Sequence, residues 1–249
     1  WKDSVQSAPE LRLWIADGAA HGLRPWYTKF NAVVPDKRWV APIVEAFVAH
    51  SEVEAELAPL APVAEIALLD PSTTLRAWDR NDREAVEVHE RGFYHALVEA
   101  GLPFELVSDL TLEDGGLDPF RLLVIANAAF LSDAQCAAIR AFVDRGGSVV
   151  AAFETSRYDE HGQPRADFGL SDVFGVSVLG DATPVTKNRY MQLMPEHPIC
   201  AGYEGAERII ASTRRQPVLP HASTELVALA VPHFPDLPME EVYQRAPAT

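Results

Sequence analysis

The stretch Phe153-Glu154-Thr155-Ser156 is where chemistry could first sit. It closes an apolar run beginning at Ser148, and in parallel sheets ligands bind beyond the carboxyl ends of strands. A nucleophile at such a place needs a sharp turn, a hydroxyl or thiol at its tip and a partner base. Ser156 supplies a hydroxyl, but no glycine-flanked turn and no base accompany it. Glu154, Thr155 and Ser156 therefore read as a degenerate nucleophile-elbow position with a structural role. Neither cysteine replaces it: Cys136 falls on an apolar helix face, where its thiolate is disfavoured, and Cys200 follows His197-Pro198-Ile199. The eight histidines are scattered, and His89-Glu90 lacks the second histidine that would complete a zinc site on one helical face. No metal site is expected. No glycine-rich loop opens a helix after the first strand, so no nucleotide cofactor is expected either. Glu196-His197-Pro198-Ile199 reads as a turn entering a strand.

A second constellation lies near the start. Asp17, His21, Trp26, Tyr27, Lys29 and Asn31 combine flat aromatics with hydrogen-bonding side chains. Sugar-binding clefts use that mixture, because aromatic faces cover the C–H surface of a sugar ring while polar groups read its hydroxyls. Composition alone favours the other reading, an ordinary interface in which the tryptophans pack the first segment against the second domain.

The elements that must position these residues fall into two parts. In residues 1–62, Leu11 to Ile15 reads as a helix or short strand. A clear helix follows Trp39, with Val40, Ile43, Val44, Phe47 and Val48 at helical spacing and Pro42 in its first turn. Ala58-Pro59-Leu60-Ala61-Pro62 ends this part. Residues 63–249 alternate strand and helix. Strands are expected at 63–69, 104–107, 121–127 and 148–153, the third apolar throughout, as in a strand covered on both faces, and the fourth buried. A helix from Asp82 to Ala100 turns Val86, Phe93, Tyr94, Leu97 and Val98 inward, and Gly101 and Pro103 stop it. Ser132 and Gln135 form a capping box opening a helix whose face carries Cys136, Ile139 and Val143. Such units imply a parallel sheet with helices on both faces and right-handed crossovers. Beyond Asp159 short strands are expected at 176–179 and 226–230, and the tail from His233 is Pro-rich.

Composition sets the outer limits. The chain has 249 residues, 36 acidic against 21 lysine plus arginine, a net charge of −15 and 48% hydrophobic residues. That is a globular composition, and its acidity argues against nucleic-acid or anionic-membrane partners, which need clustered cations. No apolar run approaches the ~20 residues of a membrane helix. A soluble protein is expected, with the cytoplasm the favoured compartment. A chain that opens on Trp1 reads as a trimmed piece.

At this point a family resemblance appears. Arg91-Gly92-Phe93-Tyr94-His95-Ala96-Leu97, Leu122 to Asn127 leading to Leu131-Ser132-Asp133, Ala141 to Gly147, Phe153 to Ser156, and Asp172-Val173-Phe174-Gly175-Val176 occur in one order. Together they make residues 63–180 resemble the beta-galactosidase trimerisation domain of family 42 glycoside hydrolases, a class I glutamine amidotransferase-like module. Amidotransferases place a cysteine at the elbow; the trimerisation module lacks it, as this sequence does. The resemblance implies a flavodoxin-like α/β fold and a homo-oligomer, a trimer by family. Residues 11–40, with Ala19-Ala20-His21-Gly22 and Pro25-Trp26, resemble the last strand and helix of the preceding (β/α)₈ barrel. By that likeness His21 and Trp26 stand at the catalytic face, while the catalytic carboxylates belong to earlier barrel strands.

The expected fold is thus α/β: a flavodoxin-like parallel sheet with helices on both faces, preceded by a mostly helical remnant of a TIM barrel. The expected function is a noncatalytic accessory and oligomerisation domain of a glycoside hydrolase-like protein, with a possible carbohydrate ligand near Asp17, His21, Trp26, Lys29 and Asn31. Two alternatives stay open: a stand-alone hydrolase or amidotransferase relative using the turn after Phe153, and a small-ligand-binding module at the strand ends.

Overall fold

The structure, a computed structural model, describes residues 6–28, 36–61, 63–78, 83–184, 189–194, 196–211, 214–232, 238 and 240, with the backbone alone at 83–85. The chain divides into two units, Trp1–Val63 and Ala64–Thr249.

In the first unit two helices pack together. Helix α1 (Ala8–Ala20) starts where Ser7 accepts a hydrogen bond from the Glu10 amide and Pro9 sits in the first turn. Both features favour helix over the strand alternative at Leu11 to Ile15. Helix α2 (Val40–Leu57) carries Pro42 in its own first turn. Leu11 and Ile43 are buried, while Val40, Val44 and Val48 remain exposed. That apolar stripe is therefore only partly covered among the described residues of this unit. Among the described residues this unit contains no strand.

The second unit is built on a parallel sheet. Its elements are β1 (Ile66–Asp70), α3 (Ser72–Ala77), α4 (Arg83–Glu99), β2 (Phe104–Ser108), a 3-10 turn (Asp109–Asp114), β3 (Leu122–Ile125), α5 (Asp133–Asp144) and β4 (Ser148–Ala151). The strand order is β2-β1-β3-β4, all parallel. Beyond it lie α6 (Ser171–Phe174), β5 (Val176–Val178), β6 (Tyr190–Leu193), β7 (Arg208–Ile210), β8 (Val218–Pro220) and β9 (Ala228–Ala230). β5 pairs antiparallel with β8, and β6 lies between β7 and β9.

Alternation along the central strands sends side chains to two cores. Ala67, Leu69, Leu123 and Ile125 face one layer with Cys136, Ile139 and Phe142 of α5. Leu68 and Val124 face the other with Leu97 and Phe93 of α4. Each fully buried Leu or Ile contributes roughly 1.5–3 kcal/mol. Helix α5 opens with both hydrogen bonds of the capping box in place, Gln135 N–H to Ser132 Oγ at 3.0 Å and Ser132 N–H to Gln135 Oε1 at 2.9 Å.

Two expectations need correction. On α4, Val86 and Leu97 are buried, but Tyr94 and Val98 are exposed. They sit one residue, about 100° of helical rotation, beyond Phe93 and Leu97, which takes them off the narrow inner stripe. The run at Ser148 is a strand, but not a buried one: Ser148, Val150 and Ala151 are exposed because, among the described residues, β4 ends the sheet. Among the described residues no helix is long and apolar enough to cross a membrane.

Candidate functional site

Beyond β4 the backbone makes a tight turn bracketed by two left-handed residues that are not glycine, Phe153 at φ 57° and Ser156 at φ 61°. Such a conformation costs a residue with a side chain roughly 1–2 kcal/mol, so the surroundings must hold it. They do so through Ser156. Its N–H donates to the Ala128 carbonyl at 2.8 Å, its carbonyl accepts from Gly169 N–H at 2.8 Å, and its Oγ accepts from Leu170 N–H at 3.2 Å. Thr155 Oγ1 donates back to the Ala152 carbonyl at 2.8 Å. Glu154, Thr155 and Ser156 are all buried. The serine hydroxyl thus faces a backbone amide and ties the turn to the loop before α6.

Phe153 and Glu154 carry the rest of the turn. The Phe153 ring stacks on His89 of α4, with centroids 5.0 Å apart and planes 15° apart. Burial holds the His89 imidazole below its ordinary range, and the Arg214 charge pushes the same way. Burial also pushes the Glu154 carboxyl up, against a 3.4 Å hydrogen bond donated by Tyr158 and the nearby charges of Arg157 and Arg214. Tyr158 belongs to an aromatic cluster with Phe130 and Trp78. A cleft of about 790 Å³ opens beside this turn and runs along Val149 to Ala152, with His89, Phe93, Phe174 and Arg214 among its walls.

The strand order changes direction between β1 and β3, where open α/β sheets commonly hold ligands. Here that point is closed by protein groups. Thr73 N–H donates to the buried Asp109 carboxylate at 2.8 Å, and Phe130 N–H donates to Thr74 Oγ1 at 3.0 Å. Burial raises the Asp109 carboxyl above the usual range. Asp109 Oδ1 and Asn127 Oδ1 are buried without a protein partner among the described residues. Nothing local in the sequence marks Asp109, whose partner Thr73 lies in the first turn of α3, after the neighbouring strand β1.

In the first unit Asp17 and His21 come together by helical spacing. His21 caps α1, its Nδ1 lying 2.8 Å from the Asp17 carbonyl and 3.8 Å from the carboxylate, with both side chains about three-quarters exposed. His21 therefore follows a helix, not a barrel strand. Trp26 is 80% exposed, and Tyr27 packs on Trp39 at 5.3 Å. Lys29 and Asn31 lie outside the described residues. A groove of about 590 Å³ runs between α1 and α2 past Ala16, Ala19, Ala46 and Ala49, and Asp17, His21 and Trp26 do not line it. Elsewhere, Cys136 and Cys200 are buried and unbridged, and His197 accepts from Ile199 N–H at 3.1 Å to cap the 3-10 turn at Pro198–Cys200. Among the described residues no three His, Cys, Asp or Glu side chains stand together as metal ligands.

No protein-family model and no curated protein sequence matches this chain. Solved structures do. Gan42B, a GH42 beta-galactosidase from G. stearothermophilus, is similar over 98% of this chain and 36% of its own, with TM-score 0.69 and 15% identity. The fold is like that of part of a GH42 beta-galactosidase. The beta-galactosidase from Bacillus circulans sp. alkalophilus gives TM-score 0.69 and 13% identity over 95% of this chain and 36% of its own. Alpha-L-fucosidase isoenzyme 2 from Paenibacillus thiaminolyticus gives 0.55 and 17% over 93% and 33%. The chain spans about a third of the length of these proteins, and at such identities the likeness is one of fold.

Proposed function

We propose that this chain is a noncatalytic accessory and oligomerisation module of a glycoside hydrolase-related protein that acts on carbohydrate. One observation carries the reading: nearly the whole chain overlays about a third of a GH42 beta-galactosidase. The strand order 2-1-3-4 supports a flavodoxin-like assignment for the second unit, the fold that the resemblance to the trimerisation domain implies. Residues 1–62 are then the mostly helical end of a barrel and residues 63–249 the amidotransferase-like domain. The turn after β4 supports the noncatalytic part. Phe153 occupies its strained first position, and the Ser156 hydroxyl is engaged by Leu170 N–H.

Glycoside hydrolysis generally uses two carboxyl groups facing across one bond, ~5–5.5 Å apart for retention or ~6.5–9.5 Å for inversion. In sequence, Asp17 is the carboxylate beside the aromatic stretch, and it pairs with His21 on an open surface, while Glu54 of α2 pairs with Arg24 at 3.4 Å. The test is turnover of chromogenic β-galactosides and α-fucosides by the purified chain. No turnover is expected. Activity that follows the protein through purification and is lost in Ser156→Ala or Glu154→Gln would overturn the reading.

A further inference from the structure

Within a parallel strand the N–H and C=O of one residue point to the same side, so alternate residues serve alternate neighbours. Ser148 N–H donates to the Arg121 carbonyl at 2.9 Å, and Ala152 N–H donates to the Ile125 carbonyl at 3.0 Å. With the β3–β4 register, this assigns Ser148, Val150 and Ala152 to β3 and turns Val149 and Ala151 outward. Among the described residues no strand pairs with that outer edge. Exposed edges are normally blunted by charge, proline or a bulge. The opposite edge strand, β2, carries Glu105, whereas Ser148 to Ala152 has no charge and no proline and leaves Val150 42% exposed.

The cleft of about 790 Å³ follows this bare edge and takes walls from both faces of the sheet. Phe93 comes from the α4 layer, and Val173 and Phe174 come from the opposite layer. An extended segment laid against Val149 and Ala151 would place alternate side chains against these two apolar walls, which is how strand addition gains selectivity. At ~3.3 Å per residue, β4 offers room for about four residues of such a segment. Val218 of β8 also lines the cleft, so the space suits one strand and not a sheet edge backed by its own helices. Arg214 and Arg215 line it too, and no carboxylate does among the described residues, in a chain with 36 acidic residues against 21 basic ones.

We propose that the outer edge of β4 is a docking slot for an extended acidic peptide segment of a partner protein, which joins the sheet as a fifth strand. Backbone pairing to Val149 and Ala151 holds it, the two apolar walls take its alternate side chains, and Arg215 selects for acid.

The experiment is amide exchange by NMR on the full chain with three synthetic probes. The first is acetyl-Glu-Val-Val-Val-Glu-amide, the second replaces both glutamates with lysine, and the third is the first N-methylated at alternate residues in both registers. The acidic peptide should slow exchange at Val149 and Ala151 at least tenfold and leave Val150, already held by β3, unchanged. The lysine peptide should bind at least about tenfold more weakly, the contribution of a charge-assisted hydrogen bond, and the N-methylated peptides should not bind. Arg215→Gln should weaken the acidic peptide by a similar factor and leave the lysine peptide unaffected. No change at Val149 and Ala151 with millimolar acidic peptide, equal binding of the acidic and lysine peptides, or full binding after N-methylation in both registers would each overturn the proposal.

Discussion

Replacing Cys136 with alanine should cost stability at neutral pH and almost nothing near pH 10.5. Cys136 is 1% exposed in the layer between α5 and the sheet, and a Cβ added to Gly169 would lie 3.0 Å from its sulfur. Truncating it at pH 7.5 should cost about 1–2 kcal/mol, as core deletions of this size do. Burial pushes the thiol up from 9.0 to about 11, against the charges of Arg165 and Arg140. The folded protein therefore holds this proton to higher pH than the unfolded chain. Stability is fully present below pH 9 and falls as pH rises from 9 toward 11. The rise from 9.0 to about 11 corresponds to about 2.7 kcal/mol in full, of which about 2 kcal/mol is lost by pH 10.5. The loss cancels the advantage over alanine. Urea unfolding of both proteins at pH 7.5 and 10.5 reads the gap directly, and titrations of other groups cancel in the difference. A gap that stays constant across that range, or rapid native-state labelling of Cys136 by a thiol reagent, would refute the reasoning.

Gly147→Ala should destabilise by about 1–3 kcal/mol, the usual cost of overpacking, because the new Cβ would collide with the buried Phe142 ring; thermal unfolding checks it, and an unchanged melting temperature would count against the α5–β4 connection. At Asp109 burial raises the carboxyl, so the native state keeps its proton longer and stability falls as pH rises from the ordinary carboxylate range to the raised value. Asp109→Asn should remove that part of the slope while its side-chain oxygen still accepts from Thr73; an unaltered pH profile of unfolding would show the carboxylate to be better solvated than its burial indicates.

What could be read in the sequence was local or strongly periodic. The capping box at Ser132 and Gln135 depends on residues three apart, and it is present with both bonds. The apolar run of β3 implies cover on both faces, and β3 lies inside the sheet between β1 and β4. The run at β4 also reads as buried, yet among the described residues it lies at the edge, because strand neighbours are set by long-range pairing that composition does not encode. The contact of His89 with Phe153 joins residues on a helix and a distant turn, and no spacing rule reaches it. Left-handed Phe153 and Ser156 carry no glycine to announce them. Near the start, Asp17 and His21 come together because α1 continues to Ala20, where the resemblance implied the end of a barrel strand, whereas Trp26 stands exposed and lines neither cleft, and Lys29 and Asn31 lie outside the described residues.

The mass of the purified chain in solution tests the proposed accessory and oligomerisation role most directly. Sedimentation equilibrium over a wide concentration range should give a species of about three times the 27.3 kDa chain mass, dissociating only on dilution. A single species at 27.3 kDa that persists to the highest concentration reached would contradict the account.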